Sequence, residues 1–211
     1  MSVELLETFG NDLTVVNAAR VSFDKESTEF SDRDAGLIRY LAKHQHNSPF
    51  FHPQLRFRLK MPIFVGREWF RHTIGFARNE VSRRYVDTEP EIWMPTEFRE
   101  RDPKIKQGSL GTAIERNEEA VAIYKAAVDA SVAAYTTLLS MNVAPEMART
   151  ILPQSMYTEF IETGSLAAYA RLCSLRLDPH AQKEIRDLAQ QISDLIQPRF
   201  PISWAALIKV D

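Results

Sequence analysis

The sequence predicts an α+β fold in which many helices surround a small, largely antiparallel sheet. Long stretches repeat apolar residues every three or four positions, which is typical of amphipathic helices. Residues 54–61 instead alternate polar and apolar side chains without a break, as a half-buried strand does. No internal repeat or linker interrupts the 211 residues, so we expect one domain over residues 1–211.

The amino-acid composition excludes several classes of protein. The chain holds 26 Lys and Arg against 28 Asp and Glu, a net charge of −2, which argues against a broad basic surface for nucleic acid. A single cysteine excludes a disulfide framework and a cysteine-rich zinc module. No apolar run approaches the roughly 18 residues that cross a bilayer, and the N-terminus does not resemble a secretion signal. We therefore expect a cytoplasmic protein without a membrane partner.

Capping residues define the first elements. A strand is predicted over residues 3–9, and Asn11 or Asp12 then caps a short helix that ends at Arg20. Ser31 begins the second helix, because an acidic residue stands three positions on and an apolar stripe follows.

The middle of the chain is predicted to be mainly helical. The proline after the alternating strand opens a helix over residues 63–71, and the longest helix spans residues 113–141. Residues 96–112 are polar and contain two glycines, which indicates a surface loop. Pro145 opens a short helix that carries Arg149.

The last third of the chain begins with a strand over residues 156–161. A helix from about Ser165 follows and ends near Asp178. Asp178 is then predicted to be the N-cap of the last long helix, with Pro179 in its first turn. That helix is supported by an apolar stripe: Ala181, Ile185, Leu188, Ile192 and Leu195.

The segment 67–85 is the most informative for function. If its first part ends a helix, three polar side chains share one helical face: Glu68, Arg71 and His72. If its second part is extended, three more share one face at period two: Glu80, Ser82 and Arg84. Guanidinium groups and a hydroxyl in this pattern suit an anionic ligand such as a phosphate. A solvated charged surface explains the same spacing equally simply.

Other polar residues are less specific. A second cluster lies near the joint between the last two long helices: Arg171, Arg176, Asp178 and His180. Three histidines do not follow a known zinc-ligand spacing, so we expect no metal site there: His44, His46 and His52. The chain has neither a Walker sequence nor a G-x-G-x-x-G loop. Any dinucleotide must therefore be held by side chains and helix ends.

Cys173 is predicted to be a buried small hydrophobe, because it lies mid-helix among apolar residues. Arg176, three positions on, is placed to lower the pKa of the thiol if the two side chains meet.

These motifs together resemble the signature of flavin-dependent thymidylate synthases. Five blocks carry the resemblance: Ala18 to Phe23; His44-x-His46-x-Ser48-Pro49-Phe50-x-His52; Arg71-His72 with Asn79-Glu80-x-Ser82-x-Arg84-Tyr85; Leu152-Pro153 with Tyr157-Thr158; and Leu175-Arg176-x-Asp178-x-His180-Ala181-Gln182-x-Glu184. The resemblance covers most of the chain, and several ordered motifs are more specific than any one alone.

The resemblance implies a reaction. A bound FAD is reduced by NADPH, methylenetetrahydrofolate supplies a one-carbon unit, and dUMP becomes dTMP without a cysteine nucleophile. The family's active site is built from several subunits of a homotetramer, so self-association is expected as well.

The resemblance also implies roles for particular residues. On the cofactor side we expect His46, Ser48, Arg71, His72, Thr73, Arg78, Glu80, Ser165 and Arg171. Around the nucleotide we expect Glu68, Arg71, Glu80, Ser82, Arg83, Arg84, Arg149 and Arg176. Arg176 is the expected catalytic residue, since a fixed positive charge beside the uracil would favour ionisation at N3. Arginines from distant stretches, some from neighbouring protomers, would thus converge on one phosphorylated pyrimidine.

The chain departs from the family's usual pattern in the arginine-rich block. The family has Arg-His-Arg, seven residues and Ser, whereas this chain has Arg71-His72-Thr73, eight residues and Ser82. We expect Arg78 to supply the missing positive charge. Three further positions differ from residues common in the family: Glu68, Ser165 and Arg171. These changes bear on the FAD pocket and on the group transferred.

Two alternative functions stay open from the sequence. One is a diverged relative that places another one-carbon group, such as hydroxymethyl, on a pyrimidine nucleotide. The other is a non-catalytic nucleotide- or nucleic-acid-binding module that uses the surface from Arg71 to Arg84.

Overall fold

The computed structural model describes residues 1–105 and 108–208. The chain forms two compact units. The first contains Met1–Leu59, Trp69–Asn79 and Phe160–Asp211, and the second contains Lys60–Glu68 and Glu80–Glu159. In the described ranges no helix is both long enough and apolar enough to cross a membrane. The expectation of one domain over residues 1–211 stays a prediction.

The helices of the described residues, in chain order, are α1 Asp12–Arg20, α2 Asp32–Lys43, α3 Ile63–Trp69, α4 Asn117–Ser140, α5 Pro145–Ala148, α6 Leu166–Arg176, α7 Lys183–Ile196 and α8 Pro201–Leu207. Short 3₁₀ turns cover Val21–Phe23, Ser48–Phe51 and Arg149–Ile151.

The strands are β1 Ser2–Phe9, β2 Gln54–Pro62, β3 Phe76–Glu80, β4 Arg99–Arg101, β5 Ser109–Ala113 and β6 Tyr157–Ser165. A four-stranded sheet has the order β1-β2-β6-β3, and β4 pairs with β5 in a separate antiparallel sheet. The combination of many helices with a small antiparallel sheet confirms the predicted α+β class.

Strands β2 and β6 alternate buried and less buried residues, which is why the sheet has one core face. In β2 the buried side chains are Leu55, Phe57, Leu59 and Met61. In the first unit, Tyr169 packs edge-on against Phe57 and Phe76, with ring centroids 5.1 and 4.9 Å apart. Gly164 makes this packing possible, because a Cβ there would lie 2.5 Å from the Phe76 ring.

In the second unit the long helix α4 is largely exposed. Of its side chains, Val128 and Tyr135 are buried, and the apolar residues three or four positions from these two are partly buried. The hydroxyl of Tyr124 donates to the Trp93 carbonyl at 3.2 Å, and the Tyr124 ring lies 5.6 Å from that of Phe98.

The first two helices begin as the sequence predicts. Asn11 caps α1: its side chain accepts hydrogen bonds from the backbone N–H groups of Leu13 and Thr14 at 2.9 and 3.3 Å. Ser31 caps α2 in a capping box with Asp34, whose carboxylate accepts the Ser31 backbone N–H at 2.9 Å.

Several predicted boundaries were wrong. The segment 96–112 is not one loop, because 99–101 and 109–113 pair as β4 and β5; its residues 106 and 107 lie outside the described ranges. Strand β6 continues to Ser165, four residues beyond the predicted end, and Arg149 lies just after α5 rather than inside it.

The predicted cap of the last long helix was also wrong. Asp178 does not cap α7, because its Oδ1 accepts the backbone N–H of His180 at 2.7 Å and the ring Nδ1 of His180 lies 2.9 Å away. The aspartate therefore closes a separate turn, and α7 begins later, after Gln182.

Asp12 ties the two ends of the chain together in the first unit. It stands in the first turn of α1, and its carboxylate accepts the backbone N–H groups of Ile202 and Ser203, both at 2.9 Å. In the first turn of α8 these N–H groups have no acceptor within their own helix. The buried Asp12 carboxylate, which belongs to α1, supplies the hydrogen-bond acceptors that the N-terminus of α8 needs.

We predict that Asp12→Ala lowers the free energy of unfolding by about 2–3 kcal/mol, because two charge-assisted hydrogen bonds are lost and two buried N–H groups are left unpaired. Urea denaturation measures this loss. Asp32→Ala removes an exposed acidic residue from the first turn of α2 and is the matched control. Equal effects of the two substitutions would contradict the assignment.

Candidate active site

In the first unit, the loop after Trp69 carries the Arg71-His72-Thr73 sequence. The helix predicted to reach Arg71 ends at Trp69, and the His72 N–H donates to the Trp69 carbonyl at 3.1 Å in a turn. The predicted helical face shared by Glu68, Arg71 and His72 was therefore wrong.

The end of β6 and helix α6 together hold this loop at three points. The Ser165 N–H donates to the Gly75 carbonyl at 3.2 Å, Arg171 Nη2 donates to the Ile74 carbonyl at 2.5 Å, and Arg176 Nε donates to His72 Nε2 at 3.0 Å. These three hydrogen bonds, one from the last residue of β6 and two from α6, define the path of residues 72–75.

Gly75 is required for this close approach. Its φ of +81° lies in the left-handed region, and a Cβ there would lie 3.0 Å from the Ala168 Cβ and 3.1 Å from the Ser165 hydroxyl. Ser165 itself caps α6, since its hydroxyl accepts the Ala168 N–H at 3.2 Å.

His72 is surrounded by positive charge. The pKa of His72 is lowered to about 4, first by burial and then by the guanidinium groups of Arg176, Arg78 and Arg171, in that order. The imidazole is therefore neutral at physiological pH. Arg171 also lies over the Phe51 ring, 5.8 Å from its centroid.

Arg78 is anchored by Glu162, a residue that the sequence analysis missed. The Arg78 Nε pairs with a carboxylate oxygen of Glu162, which is fully buried, and the Trp69 indole N–H donates to the same carboxylate at 3.1 and 3.2 Å. Burial raises the pKa of Glu162, although the guanidinium opposes this shift. Arg78 Nη2 is buried and has no hydrogen-bond partner among the residues described.

A cavity of about 400 Å³ lies beside α6 in the same unit. It is lined by Gln45, Asn47, Phe51, Ala167, Ala170, Arg171, Ser174, Leu175 and Leu207. An aromatic ring, small apolar side chains and one guanidinium suit part of an aromatic nucleotide.

The histidines of the predicted histidine block are on the surface of the first unit, whereas Pro49 and Phe50 of the same block are buried. His46 and Ser48 are exposed, and Ser48 begins a 3₁₀ turn. The His46 ring stands edge-on to Tyr40 at 6.0 Å. Arg71 and Thr73 are exposed as well.

The second unit contains a separate polar cavity of about 520 Å³, which we call the Arg149 cavity. Its lining consists of Ile63, Glu80, Val81, Ser82, Arg83, Val86, Arg149, Thr150, Leu152, Met156, Tyr157 and Thr158. Four residues predicted from the sequence are therefore brought together here: Glu80, Ser82, Arg83 and Arg149.

The predicted extended segment 78–85 was wrong beyond Glu80. After β3 the chain turns, because the Ser82 carbonyl accepts the N–H groups of Tyr85 and Val86 at 3.0 and 3.2 Å. The Ser82 hydroxyl accepts the Arg84 N–H at 3.3 Å. The turn replaces the period-two face and directs Ser82 and Arg83 to the cavity lining.

Glu80 and Arg84 have partners within the second unit. The Thr158 hydroxyl donates to Glu80 Oε1, which fixes that carboxylate at the cavity. Arg84 is exposed, lies 3.3 Å from a carboxylate oxygen of Glu146, and does not line the cavity. Glu68 is only partly exposed.

Some of the missed residues had a signal in the sequence. Glu162 falls on the buried face of a strand that alternates regularly, and a charge at such a position indicates a buried partner. Thr158 lies on the same face, but its pairing with Glu80, 78 positions away, leaves no local trace.

Cys173 has the buried environment that was predicted. Its side chain is fully buried, and the Sγ lies 3.6 Å from the Ala189 carbonyl. Burial raises the pKa of the thiol. The alternative that the spacing allowed, in which Arg176 lowers this pKa, is therefore wrong. The thiol is thus unsuited to nucleophilic attack.

The sequence matches the profile of a family described as "Thymidylate synthase complementing protein" over residues 4–202. A flavin-dependent thymidylate synthase from Thermus thermophilus is 41% identical over 204 residues, which cover 97% of this chain and 74% of the relative. A flavin-dependent thymidylate synthase from Thermosipho africanus is 36% identical over 208 residues, which cover 98% of this chain and 90% of the relative.

Solved structures with the same fold include the UMP/dUMP methylase PolB from Streptomyces cacaoi. Its complex with 5-Br dUMP superposes with a TM-score of 0.88 at 31% identity, covering 97% of this chain and 93% of that chain. Its complex with 5-Br UMP gives a TM-score of 0.85 at 30% identity, and the match covers 98% of this chain and 93% of that chain.

We predict that Cys173 is inert to a soluble thiol reagent in the native protein and reacts fully after unfolding, because burial both shields the sulfur and disfavours the thiolate. Absorbance of the released thiol-reagent anion measures this. Labelling at the same rate in native and unfolded protein would contradict the buried assignment.

We predict that Arg78→Leu lowers the free energy of unfolding by about 3–5 kcal/mol, since it leaves the buried Glu162 carboxylate without its cation. The double variant Arg78→Leu/Glu162→Leu should recover a large part of that loss, because no charge is left buried. Chemical denaturation of both singles and the double gives the coupling free energy. Strictly additive losses would show that the pair does not interact.

Proposed function

This chain belongs to the flavin-dependent thymidylate synthase family, and we propose that it converts dUMP to dTMP at a site that holds FAD. The family match extends over residues 4–202, which agrees with the resemblance in the sequence. The relatives named above are flavin-dependent thymidylate synthases, so a flavin enzyme that methylates a pyrimidine nucleotide is the function best supported.

The Arg149 cavity is the observation that carries the proposal for the nucleotide. It combines two guanidinium groups with the Ser82 hydroxyl, and these donors suit the phosphate of a mononucleotide. Glu80, held by Thr158, adds an acceptor for a hydroxyl or ring N–H. We propose Arg83, Arg149 and Ser82 as phosphate ligands. Glu68, Arg71 and Arg84 stay predicted contacts of the nucleotide.

The residues of the first unit fit a flavin nucleotide in their chemistry. The exposed guanidinium of Arg171 offers donors to a pyrophosphate, and so does the buried Nη2 of Arg78, which has no hydrogen-bond partner in the described ranges. The α6 cavity, with Phe51 in its wall, offers an apolar surface to an aromatic ring. We propose that these residues hold FAD together with His72 and Ser165. His46, Ser48, Arg71, Thr73 and Glu80 stay predicted flavin contacts. Bound there, the flavin supplies the redox chemistry that the side chains lack.

Arg176 is the proposed catalytic residue of this chain. Its guanidinium cannot lose its proton under physiological conditions, so it supplies a fixed positive charge that stabilises an anion developing on the uracil ring. The buried Cys173 takes no part, in agreement with a reaction that needs no cysteine nucleophile.

NADPH as reductant, methylenetetrahydrofolate as one-carbon donor and a homotetrameric assembly complete the proposal. The convergence of Arg84, Arg149 and Arg176 on one nucleotide, some from neighbouring protomers, stays a prediction. So does the cytoplasmic location.

The test is product analysis by mass spectrometry after incubation with dUMP, methylenetetrahydrofolate and NADPH. We expect a yellow protein with flavin absorbance that forms dTMP. A product one oxygen heavier than dTMP would instead identify a hydroxymethylating enzyme. A colourless protein that binds DNA in a salt-sensitive manner would contradict the whole proposal. Replacing dUMP by UMP tests whether the substrate range resembles that of the PolB methylase.

Arg149→Ala should raise the KM for dUMP by about 10- to 100-fold, since a charge-assisted hydrogen bond to a phosphate contributes about 1.5–3 kcal/mol. Flavin content should not change. Arg33→Ala removes another exposed arginine, on α2, and is the control. An unchanged KM in Arg149→Ala would exclude Arg149 from phosphate binding.

A further inference from the structure

The hydrogen bond between Arg176 and His72 determines which nitrogen of the imidazole carries a proton. Arg176 Nε donates to His72 Nε2 at 3.0 Å. A guanidinium has five N–H donors and no acceptor, so it cannot receive a proton from the ring. The Nε2 atom must therefore present its lone pair, and the proton of the neutral ring resides on Nδ1.

The charges around the ring reinforce this state. The charged groups that act on His72 are Arg78, on β3, and Arg171 and Arg176, on α6. All three are cations, and a protonated imidazole would add a fourth positive charge beside them. Of these cations, Arg78 is paired with the Glu162 carboxylate. Burial and these charges lower the pKa of His72 to about 4.

We propose that His72 is a positioning residue that accepts the Arg176 Nε–H as a neutral, Nδ1-protonated imidazole and thereby fixes the orientation of the Arg176 guanidinium. The catalytic consequence rests on the proposed function, whereas the hydrogen bond and the tautomer do not.

Fixing Arg176 matters because its side chain has several rotatable bonds and the guanidinium is planar. Holding Nε defines the plane of the group and the direction of its remaining N–H bonds. His72 is itself held, since its backbone N–H donates to Trp69 and the following residues are held by Ser165 and Arg171. An arginine anchored in this way loses little freedom when a substrate binds.

The competing role for His72 is proton transfer, which is common for histidine near pH 7. The two roles differ in what a replacement must preserve. A positioning residue needs only an acceptor where Nε2 stands, whereas a proton-transfer residue needs a titrating ring.

The kinetic test uses a matched pair of variants. His72→Gln places an amide oxygen near the Nε2 position, and His72→Leu has similar bulk without an acceptor. We expect kcat of His72→Leu to fall by at least about 100-fold and His72→Gln to recover at least about tenfold of that loss. The pH profile of kcat between pH 5 and 8 should keep its shape in His72→Gln. Equal losses in both variants, or a limb near pH 6.5 that disappears in His72→Gln, would overturn the proposal.

A spectroscopic test does not depend on turnover. Solid-state ¹⁵N NMR of protein labelled at its five histidines distinguishes the two neutral tautomers and the imidazolium. The signal that is lost in His72→Gln belongs to His72. We expect it to report an Nδ1-protonated neutral ring at pH 7 and still at pH 5. An Nε2-protonated ring or an imidazolium at pH 7 would overturn the proposal even in a fully active enzyme. The expected tautomer in a protein that forms no dTMP would refute the proposed function alone.

Discussion

The hold of α6 on residues 72–75 is the constraint on which the candidate flavin side depends. The helix donates one guanidinium to a carbonyl and another to an imidazole, and its N-cap residue, Ser165, donates a backbone N–H. These three contacts define a loop that has no regular structure of its own. The loop can approach so closely because position 75 is a glycine. Two of the arginines that surround His72, Arg171 and Arg176, thus also hold the loop in place. A substitution of either one is therefore expected to change both the loop conformation and the proposed ligand binding.

The positions of the charged side chains and of the thiol determine the chemistry that the chain can perform. Three arginines are concentrated around His72, and one of them, Arg78, is paired with the buried Glu162. The replacement of the family's third cation by Arg78 stays a prediction; the Arg78 guanidinium is paired with this buried carboxylate. The thiol, by contrast, is placed where it cannot ionise. Such a chain depends on a bound flavin for its redox step and contributes fixed charge and orientation.

The sequence correctly predicted the helix caps and the strand whose structure depends on residues close together in the chain. Asn11 and Ser31 cap their helices, and residues 54–61 form the expected strand, because capping and alternation involve neighbours in the chain. The end of α3 and the turn at Ser82 were missed, since their hydrogen bonds replace regular ones that the pattern allowed. The pairing of Arg78 with Glu162, 84 positions apart, is visible only in the folded chain. The resemblance named the site residues, but tertiary contacts determine what each one faces.

Hydrogen exchange of the backbone amides in residues 70–76 tests most directly whether α6 defines the loop. We expect slow exchange at His72 and Phe76, whose N–H groups donate to Trp69 and Thr73, and faster exchange there in Arg171→Ala. Exchange in α1 should be the same in both proteins. Exchange of residues 70–76 at the rate of an unstructured peptide in the wild-type protein would contradict the claim that this loop is held in one conformation.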